Sequence, residues 1–185
     1  MKLNVKTDFG PGVIKTFSGK FFDVTNPNSE LIDIRDIAHS LSNLCRFGGH
    51  TRRFYSVAEH SLRVAAYAAP EHKLAALLHD ASEAYLTDLP RPVKALFPEY
   101  VKIENNLQKV IAEKFGFGYP YHKSISELDE LVLKLEYKEM MNNLILDVKP
   151  MPPETAREEF IQAFIEFILV KEKLLTFNSN STILK

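Results

Sequence analysis

From Asp33 onward the apolar positions fall three or four residues apart: Ile34, Ile37, Ala38, Leu41 and Leu44. On a helix of 3.6 residues per turn these share one face, so the spacing predicts an amphipathic helix from Asp33 to near Arg46, stopped by Gly48-Gly49. Ser56 followed three residues later by Glu59 is a capping-box pattern, predicting a second helix through Val57, His60, Ser61, Val64, Ala65 and Ala68 that ends before Pro70. Pro70-Glu71 opens a third through Leu74, Ala75, Leu77, Leu78, Ala81 and Ala84, whose near-continuous apolar character places it at the centre of a bundle. The stretch from Thr87 to Pro92 breaks the chain. Three more helices are predicted over Tyr100 to Phe115, Ser126 to Ile145 and Ala156 to Leu175, the last following a Pro150 to Pro153 linker with Thr155 and Glu158 as a second capping pair. Ahead of all this, the Gly10-Pro11-Gly12 turn and the runs Val13 to Phe17 and Phe21 to Val24 around Ser18-Gly19-Lys20 read as a small β-hairpin.

The expected architecture is therefore all-α. Residues 1–32 form a hairpin extension, 33–177 a single helical core, and 178–185, polar from Asn178, a loose tail. With 185 residues and 45% of them apolar, the chain can bury one sizeable core and needs no second domain. The chain shows no internal repeat or low-complexity segment.

Charge narrows the partners. The 23 basic and 24 acidic residues nearly cancel, which argues against holding duplex nucleic acid by bulk charge. The one cysteine, Cys45, cannot form an internal disulfide, and the N-terminus lacks the charged-then-apolar layout of a secretory signal, so a reducing cytoplasm is expected. The most apolar stretch, Phe160 to Leu175, is interrupted by Gln162, Glu166, Lys171, Glu172 and Lys173 and does not read as a membrane span.

The chemistry concentrates in Leu77-Leu-His79-Asp80-Ala-Ser-Glu83-Ala-Tyr-Leu-Thr-Asp88, where ionisable groups interrupt an apolar run and would be costly to bury unpaired. On a helix Glu83 lies four residues from His79 and three from Asp80, so the three can face one cleft. His60, within the apolar stripe of its own helix, can bring a second imidazole, and Asp129 a carboxylate from a third helix. Singly each has an ordinary reading: His60 a hydrogen-bonded core histidine, His79-Asp80 a hydrogen-bonded pair, Glu83 a solvated helix residue, Asp129 a first-turn carboxylate favoured by the helix dipole. Together, two imidazoles and two carboxylates form a mixed nitrogen and oxygen set suited to Mn, Co, Fe, Ni or Zn, with Mg less favoured.

Tyr55-Ser-Val-Ala-Glu-His60-Ser, His79-Asp80-Ala-Ser-Glu83-Ala, Asp88-Leu-Pro-Arg-Pro-Val-Lys94 and Asp129, in that order, resemble the HD-domain phosphohydrolases over about residues 17 to 145. The pattern is most similar to the bacterial 5′-deoxynucleotidases and the phage dATP triphosphohydrolases. This resemblance implies an HD-domain helical bundle in which His60, His79, Asp80 and Asp129 bind one divalent metal. It implies that Glu83 handles the proton of the attacking water or leaving group, that Asp88 lies beside the substrate sugar or phosphate, and that the protein assembles as a homo-oligomer in the cytoplasm of a bacterium or a phage-infected host. Relatives with more metals add histidines between the HD pair and the last aspartate; here that interval holds only His122, so a mononuclear site is expected.

Arg46 occupies the place of a nucleotide-contacting arginine in the deoxynucleotidases. Arg52, Arg53 and Lys94 are phosphate contacts or solvated surface residues, and Tyr55 and Phe47 stack on a base or pack in the core. The expected substrate is a deoxynucleotide. Arg52, Arg53, Lys94 and Lys102 tilt the reading slightly toward a dNTP cleaved to release triphosphate, the alternative being a dNMP cleaved to release phosphate. A second-messenger phosphodiesterase is less favoured. From other classes, a catalytically silent nucleotide- or partner-binding bundle remains open, while a nucleic-acid-binding module is disfavoured because no helix is basic along one face.

Overall fold

The computed structural model describes residues 9–141 and 149–182. Its first elements are the expected hairpin: β1 (Val13–Lys15) pairs antiparallel with β2 (Phe21–Asp23), Ile14 opposite Phe22. The turn closes through Thr16 N–H to Lys20 O at 2.8 Å and Gly19 N–H to Thr16 O at 2.9 Å, with Gly19 at φ +86, a conformation open to glycine at little cost. Phe22 is fully buried and stacks on Tyr85 at 4.4 Å, which fixes the hairpin to the helical core.

Asp33 caps α1 (Ile34–Asn43), its side chain accepting from Arg35 N–H, and the helix buries Ile37, Ala38 and Leu41. It ends three residues before the expected Arg46. The reason is local: Arg46 N–H donates to Tyr55 O at 2.9 Å and Val57 N–H to Leu44 O at 3.0 Å, so this stretch pairs with the chain entering α2 instead of continuing the helix. α2 (Val57–Tyr67) opens with the predicted capping box, Glu59 N–H to Ser56 Oγ at 3.1 Å and Ser56 N–H to Glu59 Oε2 at 3.3 Å.

The third predicted helix is not continuous. A 3₁₀ turn (Pro70–His72) leads into α3 (Lys73–Leu77); the chain then leaves helical geometry, and α4 (Glu83–Leu86) follows. His79 and Asp80 lie in the intervening turn. Backbone groups freed by the break find side-chain partners: buried Gln108 donates from Nε2 to Leu78 O at 2.7 Å and accepts from Ser82 N–H at 2.9 Å, while Tyr121 Oη donates to His79 O at 2.9 Å. An apolar period of 3.6 is kept through Ala81, which is why the pattern read as one helix.

A one-turn helix α5 (Arg91–Lys94) leads to α6 (Pro98–Phe115), which stops at Gly116 with φ +71, its N–H bonding Ala112 O at 2.8 Å. α7 (Lys123–Glu136) begins three residues before the expected Ser126 because His122 caps it, accepting from Ser124 N–H. A π-helical turn (Tyr137–Met141) follows; the remainder of the predicted span, to Ile145, lies outside the described residues. α8 (Pro153–Thr182) starts with Ala156 N–H on Pro152 O, which puts Thr155 inside the first turn, so Thr155 and Glu158 do not form the predicted capping pair. The helix continues through Thr182 where a loose tail from Asn178 was expected, and residues 183–185 lie outside the described residues. It packs on α1, α2 and α3 through buried Ala156, Phe160 and Phe167 and leaves Ile165 and Leu169 exposed.

The fold is thus mostly helical with a small N-terminal hairpin. The core is lined by Ile37, Leu41, Leu77, Leu107 and Ile111, all fully buried, each contributing roughly 1.5–3 kcal/mol of burial. Among the described residues no helix is long and apolar enough to cross a membrane.

Candidate metal centre

Three elements deliver the cluster. α2 brings His60, the turn after α3 brings His79 and Asp80, and α7 brings Asp129. His60 Nε2 lies 3.1 Å from Asp129 Oδ1, 3.5 Å from Asp80 Oδ2 and 3.3 Å from His79 Nε2. His79 Nε2 lies 3.3 Å from Asp80 Oδ2 and 3.8 Å from Asp129 Oδ1. One ligand atom each of His60, His79 and Asp129 falls within a common 4.8 Å. Metal–ligand bonds of about 2.0–2.2 Å put neighbouring donors about 3.0 Å apart in an octahedron and about 3.4 Å apart in a tetrahedron; His60, His79 and Asp129 are grouped closely enough that they could hold a metal ion, the His79–Asp129 separation of 3.8 Å being the widest.

The far side of each ring decides what the near side can do. His79 Nδ1 donates to Ala76 O at 2.8 Å, since a carbonyl can only accept; His60 Nδ1 donates to Glu136 Oε1, also at 2.8 Å. In the neutral rings both Nε2 atoms then carry lone pairs, and these face each other beside two carboxylates. That donor set fits a divalent cation. Burial works against a charged His79, but Asp80 and Asp129 outweigh it and raise its pKa to about 9. Asp129 is held well below the ordinary carboxylate range, its burial overcome by hydrogen bonds from both histidines and by their charge.

Around the cluster, Glu83 is buried, Oε1 3.3 Å from Lys94 Nζ and Oε2 without a hydrogen-bond partner among the described residues. Burial first, then the negative Asp80 and Asp88, pushes its pKa well above the usual value against the pull of Lys94 and Arg46. Burial likewise raises Asp88, opposed by Arg46. Arg46, expected on a helix end, is buried in the 3₁₀ turn Arg46–Gly49, with Nη1 3.7 Å from Asp88 and 3.9 Å from Asp80 and Nη2 3.2 Å from Glu136. Lys94 Nζ bridges Glu83 and Glu104, at 3.3 and 2.7 Å.

Other sequence-predicted contacts lie elsewhere. Tyr55 is fully buried with its hydroxyl donating to Glu136 Oε1 at 2.8 Å, so it braces the cluster from behind and has no face to offer a base. Arg52 and Arg53 are exposed and enter none of the ion pairs of the cluster among the described residues. His122 caps α7 and stacks on His72 at 4.5 Å, away from the ligands. Lys102 is exposed and pairs with Glu99.

Sequence reasoning missed three participants. Glu136 stands seven residues after Asp129, two turns along the same helix face, a spacing that could have flagged it. Arg91 Nη2 approaches Asp129 Oδ2 at 3.3 Å from a segment that was read for Asp88 and Lys94. Glu104 had no signal, because its partner Lys94 arrives from another helix.

No family model matches the chain. It is 42% identical over 127 residues to the uncharacterized protein YfdR of Escherichia coli, a match spanning 69% of this chain and 71% of YfdR. It is also 35% identical over 140 residues to an uncharacterized protein of Rhodobacter capsulatus, covering 68% of this chain and 71% of that protein. The chain belongs to the family of YfdR.

Proposed function

We propose that this protein is a metal-dependent phosphohydrolase of the HD type that removes phosphate from deoxynucleoside monophosphates. The observation that supports this most directly is the facing pair of Nε2 lone pairs on His60 and His79 beside Asp80 and Asp129, a donor set made for one cation such as Mn, Co, Fe, Ni or Zn. A divalent ion held there supplies charge neutralisation to a phosphoryl group and acidity to a water. Glu83, which holds its proton to higher pH than an ordinary carboxyl, donates it to the departing sugar oxygen. Arg46, charged and buried between Asp80 and Asp88, turns its guanidinium toward a phosphoryl oxygen, and Asp88 accepts from the sugar.

The monophosphate is preferred over the triphosphate on charge. Each basic side chain near the cluster is already matched: Arg46 by Glu136, Asp80 and Asp88, Lys94 by Glu83 and Glu104, Arg91 by Asp129 and Glu130. With Arg52 and Arg53 outside these pairs and Lys102 turned to solvent, little positive charge is left for a chain of three phosphates.

A panel of deoxynucleoside mono- and triphosphates with manganese, cobalt, zinc and magnesium tests the reading. Phosphate release from the monophosphates, absent in Asp80→Ala together with its metal, is the expected result; full activity of Asp80→Ala contradicts it.

A further inference from the structure

Glu136 is fully buried, yet its carboxylate takes three donors: His60 Nδ1 and Tyr55 Oη on Oε1, both at 2.8 Å, and Arg46 Nη2 on Oε2 at 3.2 Å. One turn on, Glu139 grips Arg63 through two bonds of 2.8 and 3.0 Å, and Arg63 sits three residues after His60 on α2. The pairs His60–Glu136 and Arg63–Glu139 thus lock α2 to the end of α7 and the π-helical turn that follows it, at matched spacing. They fix Glu136 on the side of the His60 ring opposite the cluster. α7 therefore carries one ligand, Asp129, and the group that orients another.

We propose that Glu136 is a positioning residue of the metal centre: it holds His60 in the tautomer protonated at Nδ1, aims Nε2 at the cation and adds basicity to that nitrogen. The inference rests on the metal-site reading above. Both oxygens of Glu136 face donors, His60 and Tyr55 on one and Arg46 on the other, so the position suits a carboxylate that only accepts. A glutamine keeps its shape without its charge. It also turns an N–H group toward either Arg46 or the His60 and Tyr55 donors. Stability alone is a poor explanation for so buried an acid, because an apolar replacement of a buried ionic group is often neutral or better.

The test is a Zn²⁺ and Mn²⁺ titration of the full chain after chelation, comparing the unsubstituted protein with Glu136→Gln, Glu136→Asp and, as a control on the exposed side of α7, Glu127→Gln. Glu136→Gln is expected to bind metal about 10 to 100-fold more weakly while its far-UV spectrum is unchanged, with Glu136→Asp recovering part of the loss and Glu127→Gln behaving as the unsubstituted chain. A measurement that needs no variant is the ¹⁵N shift of the His60 ring, expected to show Nδ1 protonated. Equal affinity in Glu136→Gln and the unsubstituted chain, or a His60 ring protonated at Nε2 alone in the metal-loaded protein, overturns this inference by itself. Absence of metal uptake by the unsubstituted chain overturns the metal-site reading and this inference with it.

Discussion

His60 Nε2 and His79 Nε2 lie 3.3 Å apart while the Nδ1 of each ring is already donating, to Glu136 Oε1 and to Ala76 O. Two lone pairs at that distance repel unless a cation lies between or beside them.

His79 has its pKa raised from 6.5 to about 9 by Asp80 and Asp129 against its burial. A basic group raised on folding stabilises fully below its unfolded value and loses that contribution as pH climbs through its folded value. The chelated protein should therefore melt progressively lower from about pH 7 to above pH 9, the effect being of order 3 kcal/mol. With zinc present the fall should largely vanish, since the ion replaces the proton. Thermal melts at fixed ionic strength across that range check it; a flat profile without metal speaks against the paired histidines.

Glu83→Gln keeps the shape of the side chain and the metal ligands but cannot transfer a proton. Metal content should be unchanged, and kcat should fall by about 10²–10⁴-fold, the usual contribution of a positioned acid or base. The basic limb of the pH–rate profile should disappear as well, because activity that needs protonated Glu83 declines as pH rises through its elevated pKa. Lys94→Met removes the nearest cation to Glu83 Oε1 and should move that limb to higher pH.

Gln108→Leu tests the break in the third helix. Leu78 O and Ser82 N–H lose their partner in a buried position, at a cost of about 1–3 kcal/mol. The turn they hold carries His79 and Asp80, so metal affinity should weaken along with the melting temperature. A variant that melts lower but binds metal normally separates the turn from the site.

Much of this was legible in the chain itself. The hairpin around Ser18-Gly19-Lys20 and the capping box of Ser56 and Glu59 follow from short-range patterns and stand where those patterns point, while His60, His79, Asp80 and Asp129 come together although His79 and Asp80 lie in a turn and not on the helix expected for them. The break after Leu77 was hidden because the turn preserves helical periodicity and is held by Gln108, 26 residues beyond Ser82. Glu104 was hidden for the same kind of reason, and Glu136 had only its seven-residue spacing from Asp129 to mark it: their partners His60, Arg46 and Lys94 come from other elements, and a carboxylate in a helix looks alike in sequence whether it faces solvent or an imidazole. Tyr55 shows the converse, an aromatic beside the site whose burial turns it from a base platform into a brace.

The most direct test of the shared cation is anomalous diffraction from crystals grown with manganese or zinc. One peak is predicted at about 2.0–2.3 Å from His60 Nε2, His79 Nε2 and carboxylate oxygens of Asp80 and Asp129. A map with metal bound elsewhere, or with no peak touching both imidazoles at saturating metal, contradicts the account.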